Sequence, residues 1–205
     1  MIEVSNKGAT TIVTLNRPEK ANSLTTEMLE TLLDTVRAAR QGTKVLILTG
    51  EGRVFSAGAD LDEAKAGLAT SPLWEALSSE IATLPCLTIA ALNGTLAGGA
   101  FGMALACDLR IAVAEAKFFY PVMSLGYLPQ PSDPKRLAAL VGPSRAKMIL
   151  MAGQKITADE ALDWGLLDCI VPREDILESA TALGAAVEGA QPAHIAGIKA
   201  LVPSK

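Results

Sequence analysis

Apolar positions along this chain keep switching between two spacings, and the switching itself points to an architecture. Ile12, Val13 and Leu15 fall in a β-branched or apolar run over 10–15, and a shorter run covers 2–5. Two strands are therefore expected around the turn Ser5-Asn6-Lys7-Gly8. Asn16-Arg17-Pro18 closes the second strand and opens a polar loop. Beyond a cap at Thr25 or Thr26, residues Met28, Leu29, Leu32, Leu33 and Val36 recur at helical spacing, with Gly42 as the stop. Residues 44–49 then read as a buried strand punctuated by Gly50 and Gly52.

The alternation repeats. A helix over 73–84 leads to a strand at 87–92, and a small-residue helix at 98–106 leads to a strand at 109–113. Helices near 135–140, 144–151 and 158–164 precede a strand at 167–171, and helical stretches near 174–187 and 192–201 follow. Strands alternating with helices predict an α/β fold. No internal repeat or linker-like stretch interrupts 1–205, so a single domain is expected, with an α/β core to about 172 and a short helical segment over 173–205.

Composition narrows the function classes. Half of the 205 residues are apolar but only 4% are aromatic, so the core must be built from Ala, Leu, Val and Ile. A net charge of −4 argues against nucleic-acid binding through a broad basic surface, while a few local cations could still hold a small anion. Cys86, Cys107 and Cys169 lie far apart in apolar runs without metal-ligand spacing, which fits reduced structural thiols. The opening MIEVSNKGA is polar where a signal core would be apolar, and the longest apolar run, 94–107, is too short to span a bilayer. A soluble cytoplasmic protein without a membrane partner is expected. No metal cluster, P-loop or dinucleotide fingerprint is visible, so no metal or redox cofactor is inferred.

Two segments carry candidate chemistry: Phe55-Ser56-Ala57-Gly58-Ala59-Asp60-Leu61 and Asn93-Gly94-Thr95-Leu96-Ala97-Gly98-Gly99-Ala100. Small residues admit close approach of a ligand to the backbone, and a loop entering a helix leaves N–H groups unpaired and favours negative charge. Two such N–H groups converging on one oxygen would make an oxyanion hole. The plain alternative for Gly98-Gly99 is tight helix–strand packing. Asp60 suits a helix cap or an arginine partner.

Together with LNRPEKANSL at 15–24, CDLRIA at 107–112 and ITADEALDWGLLDCIVP at 156–172, these segments resemble the crotonase (enoyl-CoA hydratase/isomerase) superfamily. The resemblance implies a spiral of ββα repeats followed by C-terminal helices, assembled as trimers or pairs of trimers. It implies an acyl-CoA thioester as partner, with coenzyme A as part of the substrate. The backbone N–H groups of Ala59 and Gly99 would hold the thioester oxygen. Lys20, Ala21, Arg53, Ala57 and Leu61 would line the CoA path, with Lys20 and Arg53 facing its phosphates unless they are simply solvated.

Departures from the family pattern matter as much. The two hydratase glutamates would fall at Gly102 and Val122, so the standard acid and base are missing and two-glutamate hydration is not expected. A dehalogenase-like aspartate would fall at Gln130. A serine-protease variant is excluded by Ala100 and by the placement of the sole histidine, His194, on the C-terminal helix. Residues 118–133 should wall an apolar acyl pocket, with Phe101, Val122, Tyr127 and Gln130 among its lining. That segment offers Tyr120 and Asp133 as replacement acid or base, although Asp133 before Pro134 equally fits a helix N-cap. The family normally continues past the helix at 192–201, and Lys199 could partly replace a CoA-facing cation supplied from there, unless it simply follows an apolar helix face. An enzyme working through a thioester enolate is the leading expectation. A binding protein that keeps the pocket without the chemistry is the alternative.

Overall fold

The computed structural model describes residues 1–202; Pro203 to Lys205, the end of the expected helical segment, lie outside the described residues. The chain opens with an antiparallel hairpin of β1 (Ile2–Lys7) and β2 (Thr10–Leu15). Lys7 pairs with Thr10, so β1 runs through residues expected to turn, and the reversal falls at Gly8 with φ +60°. α1 (Thr26–Ala39) starts where the side chain of Thr25 accepts the N–H of Met28, and it ends before Gly42. β3 (Val45–Gly50), β4 (Val54–Ser56), α2 (Leu61–Lys65) and α3 (Leu73–Ala82) follow. Then come β5 (Leu87–Leu92), β6 (Thr95–Ala97), a 3-10 turn over Gly98–Ala100 and α4 (Phe101–Ala106). The next turn of chain is β7 (Leu109–Val113), β8 (Lys117–Phe119), α5 (Val122–Leu125), α6 (Asp133–Val141) and α7 (Pro143–Leu150). β9 (Ile156–Thr157), α8 (Ala158–Asp163), β10 (Cys169–Val171), α9 (Ile176–Glu188) and α10 (Pro192–Leu201) complete the path.

The strands sort by their place in each turn. Strands of five or six residues, with the three-residue β10 at the far edge, form a six-stranded sheet of order β1-β2-β3-β5-β7-β10, and strands of two or three residues form a four-stranded sheet of order β4-β6-β8-β9. Each pass lays a long strand in the first sheet, a short strand in the second, and a helix on the way back, which is the expected ββα spiral. From β2 to β10 the large sheet is parallel, and β2, β3, β5 and β7 are buried along nearly their whole length. Burial on both faces explains why VLILT and LTIAAL read as unbroken apolar runs. α9 packs on these strands, while α1, through Leu29, Leu32 and Val36, and α3, through Trp74, Leu77 and Ile81, pack on each other and share the same core. Each fully buried Leu or Ile contributes about 1.5–3 kcal/mol. All six residues of α4 are buried, and its small side chains let neighbouring helices close in.

Lys199 does not serve as the expected phosphate-facing cation. Its ammonium donates to the Cys86 carbonyl at 2.9 Å and to Asp108 at 2.7 Å, fastening α10 onto the ends of the large sheet. His194 lies exposed on that helix. Burial pushes the thiols of Cys86 and Cys107 up to about 11 and about 12, which leaves them unreactive, whereas Cys169 is half-buried. Among the described residues no helix is long and apolar enough to cross a membrane.

Two buried amides hold the small sheet in place. Asn22, in a left-handed conformation at φ 51°, accepts the Arg17 N–H at 2.8 Å and donates to the carbonyls of Glu51 (2.9 Å) and Val54 (2.7 Å). Asn93 accepts the Gly50 N–H at 3.0 Å and donates to the Gly52 carbonyl at 3.0 Å. The turn between β3 and β4 is thus pinned from both sides, so tightly that a Cβ on Gly94 would sit 1.9 Å from the Arg53 carbonyl oxygen. That neighbour is backbone and cannot rotate away. Gly94→Ala is expected to cost about 3 kcal/mol or more in urea unfolding. Gly189→Ala, at a position with φ −77° and open space, should stay within about 0.5 kcal/mol of wild type.

Candidate functional site

The short strands decide where the site lies. β4 pairs with β6 and β6 with β8, all parallel, so the segments leaving these strands emerge side by side at one edge of the small sheet. Those segments are 57–60, 98–101 and 120–122. Gly58 at φ +93° and Gly98 at φ +57° adopt left-handed conformations and lie against each other. A Cβ on Gly58 would come within 3.0 Å of the Ala97 oxygen and 3.5 Å of the Gly99 nitrogen, so here only glycine permits the approach.

On its other side the first segment is tied to 21–24. Ala57 N–H donates to the Ala21 carbonyl at 3.0 Å, Leu24 N–H to Gly58 at 2.8 Å and Asp60 N–H to Leu24 at 2.8 Å. Residues 58 and 60 are consumed by this parallel bridge, which turns the Ala59 N–H away from Leu24. Gly99 stands in the first turn of its helix, where N–H groups lack intrahelical acceptors. Among the described residues neither the Ala59 nor the Gly99 N–H has an acceptor. The face of Trp74 covers Gly99 at 3.1 Å from the position of a Cβ, and the Trp74 indole N–H is fixed by the Leu68 carbonyl at 2.8 Å.

Asp60 performs both of its expected roles. It caps α2 by accepting the N–H groups of Asp62 and Glu63, and it accepts the Arg17 guanidinium at 2.8 Å. The Arg17 hydrogen bond beside it holds the Asp60 carboxyl below the usual carboxylate range.

Asp133 overturns the cap reading. α6 begins at Asp133 itself, its N-cap is Ser132 without a side-chain cap bond, and the Asp133 side chain points inward, 1% exposed. Its Oδ2 accepts the Tyr120 hydroxyl at 2.9 Å, and its Oδ1 is buried without a partner. Both oxygens face α4: a Cβ on Gly102 would lie 3.0 Å from Oδ1 and 3.3 Å from Oδ2. Glycine at 102 therefore vacates the space that the Asp133 carboxyl uses. Burial raises Asp133 to about 7, against the opposing pull of the Tyr120 hydrogen bond and the Arg136 charge. The Tyr120 hydroxyl is driven far upward by the same desolvation and the carboxyl beside it, so it remains a neutral donor. Its ring stacks on Phe101 with centroids 5.4 Å apart.

The structure thus gathers Ala59, Gly99, Tyr120 and Asp133 around the start of α4, with Ala21 and Ala57 adjoining them. Lys20, Arg53 and Leu61 are exposed, and neither Lys20 nor Arg53 has an ion-pair partner among the described residues. Phe101, expected on an acyl pocket wall, is wholly enclosed and reaches the site only through the Tyr120 ring. Val122 is buried, Tyr127 is 37% exposed, and the Gln130 carbonyl accepts the Asp133 N–H at 3.0 Å. Sequence reasoning missed Trp74, Glu75 and Asn22. Glu75 accepts the Ser132 hydroxyl and, at 3.1 Å, the Ser132 N–H. Desolvation alone would raise the Glu75 carboxyl, but these bonds and one from Ser79 outweigh it and hold it below its usual range.

Paired sheets wound in a ββα spiral define a crotonase-type fold. The enoyl-CoA hydratase of Bacillus anthracis superposes with a TM-score of 0.91 at 32% identity, covering 98% of this chain and 81% of that one. The family model for enoyl-CoA hydratase/isomerase matches residues 5–205, and the chain belongs to that family. Its relatives include the 2,3-dehydroadipyl-CoA hydratase of Escherichia coli K12, 36% identical over 88% of this chain and 72% of the relative. A 4-chlorobenzoyl coenzyme A dehalogenase of an Arthrobacter species is 31% identical over 96% of this chain and 75% of the relative.

The raised carboxyl has a thermodynamic consequence. Asp133 binds its proton up to about 7 when folded, but only to about 3.9 when unfolded. Between those values the native state holds the extra proton, so Asp133 contributes stability that is complete at the acid end and lost as pH rises through 7. The difference in unfolding free energy between wild type and Asp133→Asn should therefore move against the wild type from pH 4 to pH 8, by on the order of a few kcal/mol. Parallel urea titrations would reveal it, and a difference constant with pH would contradict a buried protonated Asp133.

Proposed function

We propose that this chain is an acyl-CoA enzyme that forms a thioester enolate, with the thioester oxygen held by the Ala59 and Gly99 N–H groups and a proton carried by Asp133. The observation that carries this reading is the buried Asp133 carboxyl, turned by Tyr120 so that its unpartnered Oδ1 faces α4 at the position where the family's hydratases place a glutamate. Support for the substrate class comes from relatives named for action on CoA thioesters. Lys20 and Arg53 are assigned to the CoA phosphates, Ala21, Ala57 and Leu61 to its path, and Val122, Tyr127 and Gln130 with Phe101 behind them to the acyl end.

In the chemical step, ionised Asp133 takes a proton from the carbon beside the thioester carbonyl. The C–H electron pair moves into the carbon–carbon bond, and the carbonyl pair moves onto oxygen. Two N–H donors then stabilise the charge where it develops, a contribution of about 2.7–4 kcal/mol per donor in comparable sites. Return of the proton from Oδ1 to the same carbon, or to its vinylogous neighbour, regenerates the carboxylate and completes exchange or a double-bond shift. A carboxyl titrating near 7 is suited to both directions at neutral pH. Tyr120 donates to the other oxygen throughout, which keeps Oδ1 available for the carbon acid. With Gly102 and Val122 in place of two glutamates, this assignment gives proton transfer at carbon rather than addition of water.

Incubation with a panel of acyl- and enoyl-CoA thioesters in D₂O, followed by mass spectrometry, tests the reading. Deuterium should enter beside the carbonyl faster than in an enzyme-free control, and Asp133→Asn should slow its entry about 10²–10⁴-fold while thioester binding persists. Exchange undiminished in Asp133→Asn would remove Asp133 from the mechanism. Thioesters that bind but never exchange would remove the enolate.

A further inference from the structure

A second carboxylate stands behind the first. Glu75 follows Trp74, whose ring covers Gly99, and it accepts both the hydroxyl and the N–H of Ser132, the residue immediately before Asp133. The contacts close a ring: Gly99 to Trp74, Glu75 to Ser132, Asp133 to Gly102, and back along the chain to Gly99 in the 3-10 turn before α4. Ser79 also donates to Glu75 at 3.1 Å, and Arg136, one turn along α6 from Ser132, reaches α3 by donating to Ser78 at 2.9 Å. Three polar contacts, two from Ser132 to Glu75 and one from Arg136 to Ser78, thus weld the start of α6 to α3, on a helix pair that otherwise meets through α4.

From this ring we infer that Glu75 is a positioning residue for Asp133: it fixes the Ser132–Asp133 turn against the helix that covers Gly99, and it sets a permanent negative charge beside the buried carboxyl. The inference rests on the reading of Asp133 as the proton-transfer group. Glu75 is held ionised by its hydrogen bonds, and its charge adds to the burial that raises Asp133 to about 7. The groups facing Asp133 are few. Tyr120 donates from the segment after β8, Arg136 faces it along α6, and Glu75 faces it from α3. α4 contributes no ionisable side chain except through Cys107 just beyond its end, and Arg145 of α7 sits over Trp164 instead. Environments that drive two neighbouring carboxyls apart leave one ionised and one able to carry a proton at neutral pH.

The test follows the Asp133 carboxyl directly, by carbon-13 NMR of aspartate side chains, its resonance identified by its loss in Asp133→Asn. Glu75→Gln keeps an acceptor for the Ser132 hydroxyl and removes the charge. Its Asp133 midpoint should fall by about half a pH unit or more, the modest size reflecting solvent screening of a half-buried partner. The matching limb of the pH profile for deuterium exchange should move the same way, with kcat reduced several-fold and KM little changed. Glu75→Asp restores the charge but withdraws it from Ser132, so it should return the midpoint toward wild type while kcat stays low. An Asp133 midpoint unmoved in Glu75→Gln overturns the inference, whatever happens to turnover. Undiminished exchange in Asp133→Asn would instead defeat the assigned mechanism, and the NMR titration would still judge Glu75.

Discussion

Everything at the candidate site hangs on the buried amide clamp formed by Asn22 and Asn93. Strands of three residues such as β4 and β6 contribute too few ladder bonds to fix their own placement, and a buried backbone group left unpaired costs about 1–3 kcal/mol. The two side chains supply the missing partners, saturating the turn at 50–54 from opposite sides. Close approach is part of the same solution, because Gly50 and Gly94 leave no room for a Cβ beside those amides and that turn. Once the turn is set, the register of β4 on β6 follows. The loops carrying Ala59 and Gly99 then meet at Gly58 and Gly98.

A second constraint acts through volume. α4 is buried on every side, so anything added to it must displace a neighbour. At Gly102 nothing is added, and the vacated space holds a carboxyl delivered by α6 instead. Burying that group is unfavourable for its charged form, which is why it keeps its proton to near neutrality and why a single hydroxyl suffices to orient it. An aspartate on α6 and a glycine on α4 are thus two halves of one arrangement, and neither is intelligible without the other.

The long elements were legible because their apolar spacing is dictated by burial. The strands at 87–92 and 109–113 and the helix at 192–201 coincide with the structure residue for residue. The short strands β4, β6 and β8 escaped, since three residues are too few to display a period, yet they are what converge the site. The motifs around Ala59 and Gly99 were readable because glycine is demanded there by backbone contact. Asp133 was half-readable: its type and neighbourhood stood out, but Ser-Asp-Pro-Lys is also a helix-start pattern, and local sequence cannot tell whether an aspartate turns outward to cap or inward to Tyr120. Lys199 was misjudged for a related reason, as its partner Asp108 lies far away in sequence and is brought near only by the docking of α10. Asn22 stood within the motif at 15–24 but without a role, and Glu75 gave no signal, because an amide in a polar loop and a glutamate on an amphipathic helix are ordinary until their partners are known.

The distribution of charge argues for the kind of chemistry such a site can perform. Addition of water across a double bond asks for one group to activate the water and another to deliver a proton to carbon, both reaching the same substrate. Here the two carboxyls are arranged in series instead. Glu75 binds Ser132 with its oxygens and is held ionised, while Asp133 alone turns an unpartnered oxygen toward α4. Under the proposed assignment, such a serial pair would give one proton-carrying atom whose affinity is tuned from behind, together with two N–H groups to receive negative charge. That combination fits a reaction in which a single proton leaves and rejoins carbon next to a thioester. A site loading two reactants at once would need its second carboxyl at the substrate, and here the oxygens of that carboxyl are taken up by Ser132.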